Sequence, residues 1–132
     1  MESPLSPCND ITGGDYLKVE FIKRVGDEID LLHRHIRILV EIMKDEKKKE
    51  REGQTPGIGI MKLSKNLKIP DHKVRYSLRV LEHEGLIVPT AHGAVSTPKA
   101  KESMEDIKNS LMIISQKIGD LINYIEEVSK KV

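Results

Sequence analysis

Between Asp71 and Glu84 the sequence sets His72, Lys73, Arg75, Tyr76 and Arg79 among the apolar residues Val74, Leu78 and Leu81. Spacings of four and three turn Val74, Leu78 and Leu81 to one side of a helix, so the five polar residues fall on or near the opposite side. The chemistry open to such a face is non-covalent. A guanidinium offers paired donors that match a guanine edge or a phosphate, while Lys and Tyr more often hold phosphate oxygens. Arg75 and Arg79 stand one helical turn apart. Lys62 and Lys65, a little upstream, and His92, in a later turn, add side chains that can reach phosphates. An outward Arg-Lys face also occurs on helices that meet only water. Its meaning depends on the elements around it.

Other chemistries find no support. The five histidines, His33, His35, His72, His83 and His92, show no metal-ligand spacing. His33 and His35 are two apart and diverge on a helix, and Cys8 is the single cysteine, which leaves no Cys-based zinc site and no intramolecular disulfide. No nucleophile elbow, phosphate-cradling glycine loop or paired carboxylates stand out. The expectation is a protein that is not an enzyme, with no metal and no cofactor.

The chain has 132 residues, room for one domain with helical extensions. With no Trp and one Phe, its core must be built from Ile, Leu, Val and Met, which suits helices better than a β-sandwich. The formal net charge is +1, so a polyanion partner is not announced by the whole chain. It is announced locally. From Gln54 to Pro98, six basic residues (Lys62, Lys65, Lys68, Lys73, Arg75, Arg79) face three acidic ones (Asp71, Glu82, Glu84), a balance of +3. Residues 1–14 lack the basic start and apolar run of a secretory signal, and no stretch reaches the ~20 apolar residues of a membrane span. A cytoplasmic, soluble protein with a flexible leader and no membrane partner is expected.

Three segments follow the leader. Residues 15–52 read as a long helix: Ile22, Val25, Ile29, Leu32, Ile36, Leu39 and Met43 alternate spacings of three and four, and Leu31, Ile38, Val40 and Ile42 widen the apolar face so that it touches more than one neighbour. The run Lys44–Glu52 reads as a solvated, charged helix end. Residues 53–98 change rhythm. After the Gly53–Gly57 break come a β-leaning Ile58-Gly59-Ile60, a short helix Met61–Leu67, and a turn at Lys68-Ile69-Pro70. A helix then starts with Asp71 as its N-terminal cap and stops at Gly85, and Leu86–Thr97 forms a hairpin turning at Thr90–Gly93. Residues 99–132 carry Met104, Ile107, Leu111, Ile114, Ile118, Leu121, Ile125 and Val128 at unbroken heptad spacing, a dimerisation stripe that needs another helix to cover it. Met112, Ile113 and Ile122 lie off that seam, which favours a multi-helix bundle over a two-stranded coil.

The stretch from Gly59 to Ile87, with Leu63-Ser64, Ile69-Pro70, Val74-Arg75, Leu78, Leu81-Glu82 and Glu84-Gly85-Leu86-Ile87, resembles the winged helix-turn-helix transcriptional regulators of archaea and bacteria. The resemblance covers about a third of the chain. It implies a mainly α fold of α+β type: a three-helix core, a β-hairpin wing and a long coiled-coil-like C-terminal helix. It further implies a homodimer that binds double-stranded DNA, with helix 71–84 in the major groove and Lys62 and Lys65 on phosphates. The hairpin tip Thr90-Ala91-His92-Gly93 departs from the basic tip of many wings, leaving His92 as its one candidate contact. Two other readings use the same surface: a winged helix that docks proteins, and an architectural protein that coats DNA.

Overall fold

The computed structural model describes residues 19–131. The leader, residues 15–18 and Val132 lie outside the described residues. Six elements follow in order: α1 (Glu20–Arg51), α2 (Ile60–Leu67), α3 (Asp71–His83), β1 (Ile87–Thr90), β2 (Gly93–Ser96) and α4 (Pro98–Lys131). The protein is therefore mainly helical, with one small antiparallel hairpin and a long C-terminal helix. It divides into two units after Ser96, the first holding α1 to β2 and the second α4.

α1 is Pro-free, carries Glu20 in its first turn and Lys48, Lys49 and Arg51 in its last, and so complements its own dipole at both ends. Its second half supplies the centre of the first unit: Ile38, Leu39 and Ile42 are fully buried. Ile38 and Ile42 lie off the stripe of Ile22, Val25 and Ile29, which are exposed, while Leu39 continues that stripe to where it is buried. The helix thus has two apolar stripes at different levels. Most of the charged run at its end is solvated as the sequence suggests, with Lys44, Lys47, Lys48, Glu50, Arg51 and Glu52 exposed, but three of its residues turn inward. Asp45 is buried and pairs with Lys49 at 3.2 Å, and Lys49 also donates to the Gly57 carbonyl. Glu46 accepts from the Ser96 backbone N–H at 2.8 Å. The inward members of the run hold the following loop and the end of the hairpin.

α2 and α3 pack on each other and on α1, closing over Leu63, Ile69, Val74 and Leu81, all buried. The turn between them is stitched by Ser64: its backbone carbonyl accepts from the Ile69 N–H at 3.2 Å, and its hydroxyl donates to the Ile69 carbonyl at 2.5 Å. Lys68 takes the left-handed conformation there (φ 57), at a cost of roughly 1–2 kcal/mol that glycine would avoid. Asp71 does not cap α3. Pro70 holds the cap position and no side-chain cap bond forms, so Asp71, one residue inside, acts only through its charge at the positive end of the dipole. At the other end Gly85 (φ 76) closes a Schellman turn, with Leu86 N–H on the Leu81 carbonyl at 2.9 Å.

In the hairpin, Ile87 faces Ser96 and Thr90 faces Gly93, with Pro89 opposite Ala94. Ile58 joins as an isolated bridge, exchanging two backbone hydrogen bonds with Ala94 at 2.8 and 3.2 Å. This close approach is why Gly93 is a glycine: at φ +120 a Cβ there would lie 2.4 Å from the Ile58 backbone. Within the second unit, the Thr97 hydroxyl accepts from the Ala100 N–H at 3.3 Å and Pro98 sits in the first turn, a helix start of ordinary chemistry.

Candidate nucleic-acid interface

Burial of Val74, Ser77 and Leu81 fixes how α3 is turned. The opposite side then carries His72, Lys73, Arg75, Tyr76 and Arg79, all exposed. The side chains of His72, Lys73, Arg75 and Arg79 have no ion-pair partner among the described residues, so their donors are free for an outside acceptor. Arg75 and Arg79 lean toward the hairpin, where both line a groove with Glu82. Tyr76 leans the other way. Its ring centroid is 6.1 Å from that of His35 and 5.7 Å from the Arg34 guanidinium, so α1 supports one edge of the α3 face. His83 is exposed one turn beyond Arg79 and extends the same face. Sequence reasoning weighed it only as a metal ligand.

Lys62 and Lys65 are exposed on α2. That helix is held to α1 by Arg37, which donates to the Leu67 carbonyl at 3.2 Å, and by Asn66, which donates to Glu41 at 3.3 Å. A cation on the last carbonyls of α2 complements its dipole. His92 is exposed at the hairpin turn, its backbone N–H bound to the Thr90 hydroxyl at 3.1 Å. No basic residue stands between Thr90 and Gly93.

Behind the face lies a polar cluster that the sequence did not disclose. Arg34 Nε donates to Ser77 Oγ at 2.8 Å, and His35 Nδ1 is 2.8 Å from the same oxygen. Arg Nε–H can only donate, so the hydroxyl accepts from it, and its proton and second lone pair let it meet His35 Nδ1 as donor or acceptor according to the ring tautomer. Burial, and then the neighbouring Arg34 charge, push the His35 pKa below the ordinary 6.5 and keep the ring neutral. Ser77 is itself fully buried. A buried hydroxyl with two partners is cheap, whereas one left unpaired costs about 1–3 kcal/mol.

The heptad stripe of α4 is only partly covered. Met104, Ile107 and Leu111 are half-buried, while Ile114, Ile118, Leu121, Ile125 and Val128 are exposed, as are the off-seam Met112, Ile113 and Ile122. No described helix is long and apolar enough to cross a membrane. Among the described residues, no three His, Cys, Asp or Glu side chains come together to hold a metal ion. No protein-family model matches the chain, and no curated protein is significantly similar to it.

Proposed function

We propose that this protein is a winged helix-turn-helix transcriptional regulator that binds double-stranded DNA as a homodimer, with α3 in the major groove. The observation that carries the reading is the outward face of α3: two arginines one turn apart, flanked by His72, Lys73 and Tyr76, with no acidic partner engaging the arginines among the described residues. The order of elements supports it. A long helix, a short bridge at Ile58, two helices joined by a tight turn and a two-stranded hairpin follow the order expected of a helix-turn-helix with a wing. The local charge of +3 in residues 54–98, on a chain of +1, supports it too. Lys62 and Lys65 then hold phosphates beside the groove, and His92 is the single wing contact.

Dimerisation through α4 rests on the exposed stripe from Ile114 to Val128, which a monomer leaves in water. Two copies place two recognition helices on half-sites one turn of DNA apart, or a multiple of that. Regulation follows from occupancy near a promoter, in the cytoplasm.

The test is fluorescence anisotropy of a labelled random-sequence duplex across a salt series, comparing the parent with Arg75→Ala, Arg79→Ala. On a random-sequence duplex the two arginines act as cations on phosphates, so the double variant weakens binding and lowers the slope of log affinity against log salt by about 2. The parent's log affinity falls linearly with log salt. Absence of binding by the parent at low salt sinks the DNA reading. In that event the second reading takes over, a winged helix that docks a protein, which the uncharged hairpin tip already favours. Affinity indifferent to sequence across a panel of duplexes selects the architectural reading instead.

A further inference from the structure

Between α3, the Ile58 bridge and the hairpin lies a groove of about 500 Å³, within the ~300–1,000 Å³ range of small-molecule sites. Its floor is apolar: Ile60 and Leu78, half-buried, and Pro89, exposed, present surface to the groove, and the buried Ile58, Ile87 and Ala94 pack beneath them. Its rim is charged. Arg75 and Arg79 both line it, neither paired with an acid among the described residues, and Glu82 is the one carboxylate among the lining residues.

We infer that this groove binds a small organic anion with an apolar body, of the size and kind of a medium-chain carboxylate, its head on Arg75 and Arg79 and its body on the Ile60–Leu78–Pro89 floor. A bare inorganic anion satisfies the guanidiniums and leaves the floor wet. A neutral apolar molecule covers the floor but desolvates two guanidiniums without pairing them. An amphipathic acid does both, with charge-assisted hydrogen bonds at one end and buried apolar area at the other. The arginines it engages are those assigned above to DNA. Where that reading holds, acid and duplex compete, and the ligand is a release signal built into the recognition helix.

The test uses the full chain and three probes, decanoate, decanol and acetate, followed by isothermal titration calorimetry and by amide shifts in NMR. Decanoate is expected to bind at least tenfold tighter than decanol, acetate not measurably, with shifts centred on residues 58–60, 75–82 and 87–94. Arg75→Gln, Arg79→Gln removes the preference for the acid over the alcohol. Gly59→Leu removes binding of both: Gly59 lines the groove, its backbone is extended (φ -87) and an added Cβ meets no atom, and because Gly59 is also the N-cap of α2, circular dichroism of the variant first checks that its helix content equals the parent's. Equal affinity for decanol, shifts centred on the α4 stripe, or unchanged decanoate binding in the Gly59 variant overturns the assignment. These titrations need no DNA. A parent that binds decanoate in the groove but no duplex keeps the ligand site and removes the DNA reading, while a duplex that decanoate displaces from the parent and not from Gly59→Leu supports both.

Discussion

The Ser77 hydroxyl accepts from Arg34 Nε–H and shares a second hydrogen bond with Nδ1 of the His35 ring. Protonating His35 puts a charge in a partly buried site and sets a second cation beside Arg34, near the ring of Tyr76. Because the folded-state pKa of His35 lies below its unfolded value, the unfolded chain binds the proton more readily. This contribution to stability is complete above about pH 6.5 and is lost as pH falls through the folded pKa. Urea midpoints of the parent should drop from pH 7.5 toward 5.5, and by less in His35→Gln; equal drops would contradict the cluster's role. Ser77→Ala should cost about 1–3 kcal/mol at neutral pH in the same assay. None of this was legible in the sequence, for a physical reason. A serine between apolar positions of an amphipathic helix carries no mark of burial, and its partners lie more than forty residues away, on a helix whose crossing with α3 is a tertiary outcome. Arg75 and Arg79 were legible because exposure on a helix follows from the periodicity of its buried neighbours.

At the scale of elements, punctuation was read well: Gly53, Pro70 and Gly85 end or begin helices in the structure as their backbone preferences require. What escaped was the assignment of polar side chains to partners. Asp71 does not cap, since Pro70 already occupies the cap, and Asp45, Glu46 and Lys49 turn inward because the Gly57 loop and the end of the hairpin pack where the sequence shows only alternating charge. The bridge between Ile58 and Ala94 depends on close backbone approach, which gives a contrast between two glycines. Gly93→Ala sets a side chain at positive φ against the Ile58 backbone and should destabilise by more than ~1 kcal/mol. Gly119→Ala, inside α4 with open space around it, should instead raise helix stability by about 0.5–1 kcal/mol. Thermal unfolding by circular dichroism reads both. If the two changes have the same sign, the conformational argument is wrong.

For the molecule as a whole, the outstanding feature is apolar surface left in water along two helices. Sedimentation equilibrium of the parent should give twice the chain mass of 15.0 kDa, and Ile118→Glu, Leu121→Glu should return the monomer, since two carboxylates cannot be buried unpaired. A parent that sediments as a monomer at every concentration refutes the dimer. The two stripes of α1 have a consequence for how such a protein can change over generations. The exposed stripe, Phe21, Ile22, Val25 and Ile29, ends about 13 Å along the axis before the buried one begins at Ile38. Substitutions that far apart act nearly independently on free energy. A lineage can therefore rewrite the first stripe, exchanging partners or abandoning them, while the residues beneath the α3 face keep their places. Inheritance of the fold and choice of company are recorded in separate stretches of a single helix.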